Sequence, residues 1–121
     1  MFEFYFSDSF VRIGSNADDN WMLIETLKRT DIWVHLKDVP SCHAVVRLPK
    51  KHRDDNTTRM NTLNHVARMI CIQSAKRIPL GTKTVALIYT RGKYVNKGRV
   101  VGEAVLSVTP DEFSVDNPNN I

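Results

Sequence analysis

The segment from Asp31 to Arg47, DIWVHLKDVPSCHAVVR, constrains the fold more than any other part of the chain. Its first seven residues alternate, setting Ile32, Val34 and Leu36 on one side of a strand and Trp33, His35 and Lys37 on the other. Pro40 and Ser41 supply turn chemistry, and Ala44 to Leu48 alternates again, with Val45 and Arg47 opposite to Ala44, Val46 and Leu48. Paired as a hairpin, the two strands carry Trp33, His35, His43 and Arg47 to one sheet surface. An indole, two imidazoles and a guanidinium make a candidate platform for a base or a phosphate. Taken singly, Trp33 reads as core and His35 as a satisfied sheet histidine; their joint place on the polar register is what points to a site.

Charge is unevenly distributed. Residues 1–46 hold four Lys or Arg against seven Asp or Glu, residues 47–99 hold thirteen against two, and residues 100–121 hold none against four. A basic middle between acidic ends is the footprint of a polyanion-binding surface, provided folding gathers the charges; otherwise it is a solvated face. At 121 residues the chain has room for one domain with a real core. No apolar run approaches a membrane span. The start, MFEFYF, lacks the basic and apolar regions of a secretory signal. Cys42 and Cys71 show no CxxC spacing and are expected to be reduced, in a cytoplasmic or nuclear setting.

Elsewhere the pattern predicts strands over 3–6 and 10–13 around the turn cluster Ser7-Asp8-Ser9. A helix follows, capped by Asn16, with Asn20, Leu23, Ile24 and Leu27 on one face and Lys28 and Arg29 in its last turn. Asn20, lying in the core stripe, must pin a loop or a neighbouring strand to satisfy its amide. Residues 47–56, with Lys50, Lys51, His52 and Arg53, read as an exposed loop. The clearest helix runs over 57–76, with Met60, Leu63, Val66, Ala67, Ile70, Cys71 and Ser74 as its buried stripe, ended by Pro79 and Gly81. Thr84 to Thr90 is a β-branched, apolar run that suits a strand covered on both faces. Arg91 to Arg99, RGKYVNKGR, reads as a basic loop whose glycines allow close approach to a phosphate. A strand over 100–108 and a short edge strand over 111–115 complete the chain, and the tail 116–121 is expected to fray. The fold expected is α+β: a mixed, mostly antiparallel sheet with two helices and the 31–48 hairpin near its middle.

Asp31, Trp33, His35, His43 and Arg47 together resemble the signature of the NFACT-R domain, the RNA-binding part of the NFACT proteins of ribosome-associated quality control. Ser41 and Cys42 stand where that family has Gly and Ser, and Val34 where an aromatic is common. A strand followed by Gly14, Asn16 and Asn20, with Arg12 within it, is similar to the family's first motif. Ser74-Ala75-Lys76, Tyr89-Thr90, Lys93, Val95 to Gly98 and Gly102 are similar to its C-terminal half. The resemblance spans Phe10 to Val108 and implies a stand-alone NFACT-R-like domain over 1–121, without the coiled coils and N-terminal domain of full NFACT proteins. It implies binding of transfer or ribosomal RNA, with the large ribosomal subunit a possible host. Together with the basic loop, it gives the expected RNA-contacting set: Arg12, Asn16, Asn20, Trp33, His35, His43, Arg47, Lys76, Arg91, Lys93, Lys97 and Arg99.

Chemistry is less well supported. Cys42, His35 and His43 lack the paired short spacings of structural zinc. A nuclease would use His35 and His43 as acid and base, or clustered carboxylates on a divalent ion; Asp31 and Asp38 are the only nearby acids and suit turn capping. The expectation is a non-enzymatic nucleic-acid-binding module without cofactor or metal. DNA binding and docking of an acidic protein through the basic face are the alternatives, with a metal-dependent nuclease behind them.

Overall fold

A computed structural model of the chain describes residues 1–120. Eight strands and two α-helices follow in the order β1 (Phe2–Phe6), β2 (Ser9–Ile13), α1 (Ala17–Glu25), β3 (Ile32–Leu36), β4 (Ala44–Arg47), α2 (Asn56–Gln73), β5 (Thr84–Arg91), β6 (Val95–Lys97), β7 (Ala104–Leu106) and β8 (Asp111–Asp116). Six of them form one sheet in the order β1-β2-β4-β3-β5-β8, and β6 pairs with β7 as a separate hairpin. Every pairing is antiparallel, so the fold is α+β with the 31–48 hairpin at the sheet centre.

Alternation divides the sheet into two faces. Val11, Ile13, Ile32, Val34, Leu36, Ala44, Val46 and Leu87 pack beneath α2, whose Leu63, Val66, Ala67, Ile70 and Cys71 close the main core. The opposite face is covered by α1 and the β6–β7 hairpin, which bury Trp33 with Ile24, Val95, Trp21, Leu27 and Ile88. These two covers are short. Thr84 and Ala86 stay exposed on that face while Val85 and Leu87 are buried, so β5 is an alternating strand, not one covered on both sides as its composition predicts.

Helix α1 starts where its cap chemistry places it: Asn16 Oδ1 accepts from the Asp19 amide at 2.9 Å, with Asp18 and Asp19 in the first turn. It ends at Glu25, so Lys28 and Arg29 lie in the following loop and not in its last turn. Helix α2 is capped by Asp55, which accepts from the Thr58 amide at 3.2 Å and its hydroxyl at 2.8 Å. Short 3-10 turns occupy Lys50–His52, Ala75–Arg77 and Gly92–Tyr94. The strand expected over 100–108 shrinks to Ala104–Leu106, because the chain must turn at Gly102, whose φ is 89°. The tail is tied down as far as Asn120. The Asn117 amide and side chain bond Lys83 O and Thr82 O, each at 2.8 Å, and Asn119 Nδ2 donates to Cys71 O at 2.9 Å. Ile121 lies outside the described residues.

Candidate nucleic-acid interface

The hairpin brings its polar register together as expected. Trp33 and His35 stack with centroids 5.4 Å apart, and His43 meets both edge-on at 5.3 and 4.9 Å. The cluster is interior, however: Trp33 is 3% and His43 4% exposed beneath α1 and the β6–β7 hairpin. A stacking platform must present its ring face to solvent, and the second apolar layer removes it. Trp33 and His43 are therefore withdrawn from solvent, and His35 is half-buried.

Hydrogen bonding fixes the two imidazoles. Trp33 Nε1–H donates to His43 Nδ1 at 3.2 Å, and His35 Nδ1–H donates to Leu36 O at 2.6 Å, since a carbonyl can only accept. Burial lowers both ring pKa values, that of His43 to about 3 with help from the neighbouring His35. Asn20 does what its stripe position requires: its Oδ1 accepts from the His43 amide at 3.1 Å and pins α1 to β4. Among the described residues no three His, Cys, Asp or Glu side chains converge as a metal-holding group.

Arg47 turns toward Asp31, which is fully buried. Nε and Nη2 of Arg47 donate to the two carboxylate oxygens at 2.9 and 2.8 Å, and the Lys28 amide adds a third bond at 2.9 Å. This fork holds Arg47 at the margin of an open cleft, with about a third of its side chain still exposed.

That cleft, of about 300 Å³, lies on the same sheet face one row beyond the covered cluster, and is lined by Tyr5, Phe10, Lys28, Arg47, Arg53 and Asp8 among others. Register explains the row: Tyr5 pairs with Phe10 across β1 and β2, and Phe10 with Arg47 across β2 and β4. Tyr5 is 72% exposed and lies 5.2 Å from the Phe10 ring. Tyr5, Phe10, Lys28 and Arg53 fall outside the set nominated from sequence. The alternation of β1 could have found Tyr5, which faces away from Phe4 and Phe6.

Three loops meet beside this cleft. Arg91 Nη1 donates to Thr30 O at 3.1 Å and Nη2 to Arg53 O at 3.4 Å, while the Lys93 amide donates to Arg29 O at 3.2 Å. Lys51 reaches Asp8 at 3.3 Å. One end of the sheet thus gathers Lys28, Arg29, Arg47, Lys50, Lys51, Arg53, Arg91 and Lys93. Other nominated residues lie elsewhere. Lys97 pairs with Glu25 and sits 4.5 Å over the Trp21 ring, and Arg12 pairs with Glu3 at 2.9 Å. Asn16 caps α1, Lys76 follows the C-terminal end of α2, and Arg99 occupies the β6–β7 turn, where Gly102 packs against Ala17. The 91–99 segment is not one basic loop. Gly92 packs against the Lys28 carbonyl, so its missing side chain serves internal packing and not the approach of a phosphate.

No protein-family model and no curated protein matches the chain. Among solved structures, the C-terminal part of the fibronectin/fibrinogen-binding protein from Streptococcus suis is similar, with a TM-score of 0.68 and 19% identity over 92% of this chain. The match takes in 42% of that neighbour, so the chain spans less than half of its length. At this identity the likeness is one of fold. No helix among the described residues is long and apolar enough to cross a membrane.

Proposed function

We propose that this protein is a non-enzymatic RNA-binding module whose interface is the basic end of the sheet. One observation carries the reading: the exposed Tyr5 ring, packed on half-buried Phe10, opens onto the same cleft as Lys28, Arg47 and Arg53. Exposed rings stack on unpaired bases while cations track the backbone, a combination suited to loops and ends of structured RNA. The NFACT-R resemblance supports transfer or ribosomal RNA as the ligand, in translation or ribosome-associated quality control in the cytoplasm.

The test is fluorescence anisotropy with transfer RNA, single-stranded RNA, duplex DNA and heparin. Transfer RNA should bind more tightly than heparin, and its affinity should fall steeply with salt as counterions are released. Changing Lys28, Arg53 and Lys93 to Ala should flatten the salt dependence by roughly one unit of slope per lost phosphate contact. Changing Lys76 and Arg99, far from the cleft, should leave it unchanged. Equal binding of all four polyanions would refute the reading and favour an acidic protein partner, and preference for duplex DNA would redirect it to DNA.

A further inference from the structure

A second cleft, of about 430 Å³, lies between the first turns of α2, the end of β5 and the β7–β8 connection, lined by Arg59, Tyr89, Arg91, Tyr94, Thr109 and Asp111 among others. Its size is that of a small-ligand site, and its polar groups are few and convergent. We propose that this cleft binds one phosphate-bearing nucleotide. Arg59 Nη2 donates to Asn56 Oδ1 at 2.8 Å, but its Nε–H is buried with no acceptor among the described residues. A buried guanidinium N–H is rarely left unpaired, and the planar fork of Arg matches a phosphate oxyanion.

Arg91 supplies the second guanidinium, held in place by the Thr30 and Arg53 carbonyls. Tyr89 and Tyr94, both half-buried, offer apolar ring surface and hydroxyls to a base. Asp111, opposite Tyr89 in the sheet register, supplies an acceptor for ribose hydroxyls. Two arginines against one carboxylate leave the cleft selective for an anion, and inorganic phosphate alone would leave the tyrosines and Asp111 unengaged. Thr30 and Arg53, which hold Arg91, also line the first cleft, so Arg91 joins the two. The proposal depends on the RNA reading only for the source of the nucleotide, which is either a free mononucleotide or the 5′-phosphorylated end of an RNA.

The experiment is an NMR titration of the full chain with AMP, inorganic phosphate and adenosine. AMP should shift the amides of Thr90, Arg91, Tyr94 and Thr109 and bind about tenfold more tightly than phosphate or adenosine. Arg59→Gln should weaken AMP by a similar factor. Arg59→Lys, which keeps the charge but loses the fork, should do the same if the glutamine variant fails to fold. No shift at millimolar AMP, shifts mapping elsewhere, or undiminished binding by a folded Arg59 variant would overturn the proposal. A preference for 5′-phosphorylated over 5′-hydroxyl RNA oligonucleotides would assign the RNA end, and its absence with AMP binding retained would assign the free nucleotide. A chain that binds AMP but ignores RNA would keep this cleft and refute the RNA module.

Discussion

Lowering the pH from 7 to 5 should destabilise this fold through His43. The residue is 4% exposed, accepts from Trp33 Nε1 on its Nδ1 and packs edge-on to His35, and its pKa falls from 6.5 in the unfolded chain to about 3. The sign follows from proton uptake: below the unfolded value the unfolded chain binds a proton that the folded chain refuses, so stability is lost as pH falls. At pH 5 the unfolded ring is almost fully protonated and the folded ring is not, a difference of about 2 kcal/mol relative to pH 7. Burial lowers His35 as well, which adds in the same direction. Asp19 and Asp55 are also lowered, Asp19 mainly by the Ser15 amide and Asp55 mainly by the Thr58 hydroxyl, but such carboxyls act below about pH 4 and outside this window. Urea unfolding at a series of pH values, for the native chain and for His43→Gln, measures the slope. The native chain should lose stability steadily below pH 6.5, and the variant should show the smaller slope left by His35. A flat profile in the native chain, or an identical slope in the variant, would refute the argument.

Two further perturbations test the basic end. Asp31→Ala removes both oxygens that hold Arg47 and the acceptor of the Lys28 amide, and should cost about 3 kcal/mol in urea unfolding, the low side of a buried pair because Arg47 is partly exposed. Gly92→Ala places a Cβ against the Lys28 carbonyl and 2.8 Å from Leu27 Cγ; overpacking of this kind should cost about 1–3 kcal/mol, read as a lowered urea midpoint.

The hairpin shows how far pattern alone carries. Period-two alternation in Ile32–Leu36 and Ala44–Arg47 determined which residues share a face, because successive side chains of a strand point to opposite sides, and register then had to bring His35 and His43 together. Asn16 and Asn20 were legible for a similar reason: a cap and a buried amide are local requirements of one helix. What alternation cannot say is whether a face is open. Trp33 lost its solvent because α1 and a hairpin more than fifty residues downstream both pack against it, and His43 is tied to α1 through Asn20; such cover depends on contacts between segments remote in sequence.

The same limit applies to charge. The excess of Lys and Arg between residues 47 and 99 was visible in the chain, but its division was not. Lys28 and Arg29, from the acidic N-terminal third, join Arg53, Arg91 and Lys93 because Thr30, Arg53 and Arg29 carbonyls are tied to the Arg91–Lys93 turn. Lys97 and Arg99, six and eight residues beyond Arg91, are carried away along β6. The sequence by itself determined the two helices, their caps and the faces of the 31–48 hairpin, which are set by neighbours one to four residues apart, but not β6, the short β7 or the half-covered β5. Only the tertiary structure decided which face stayed wet and which cations met, because those follow from packing and hydrogen bonds between segments remote in sequence, which no local spacing encodes.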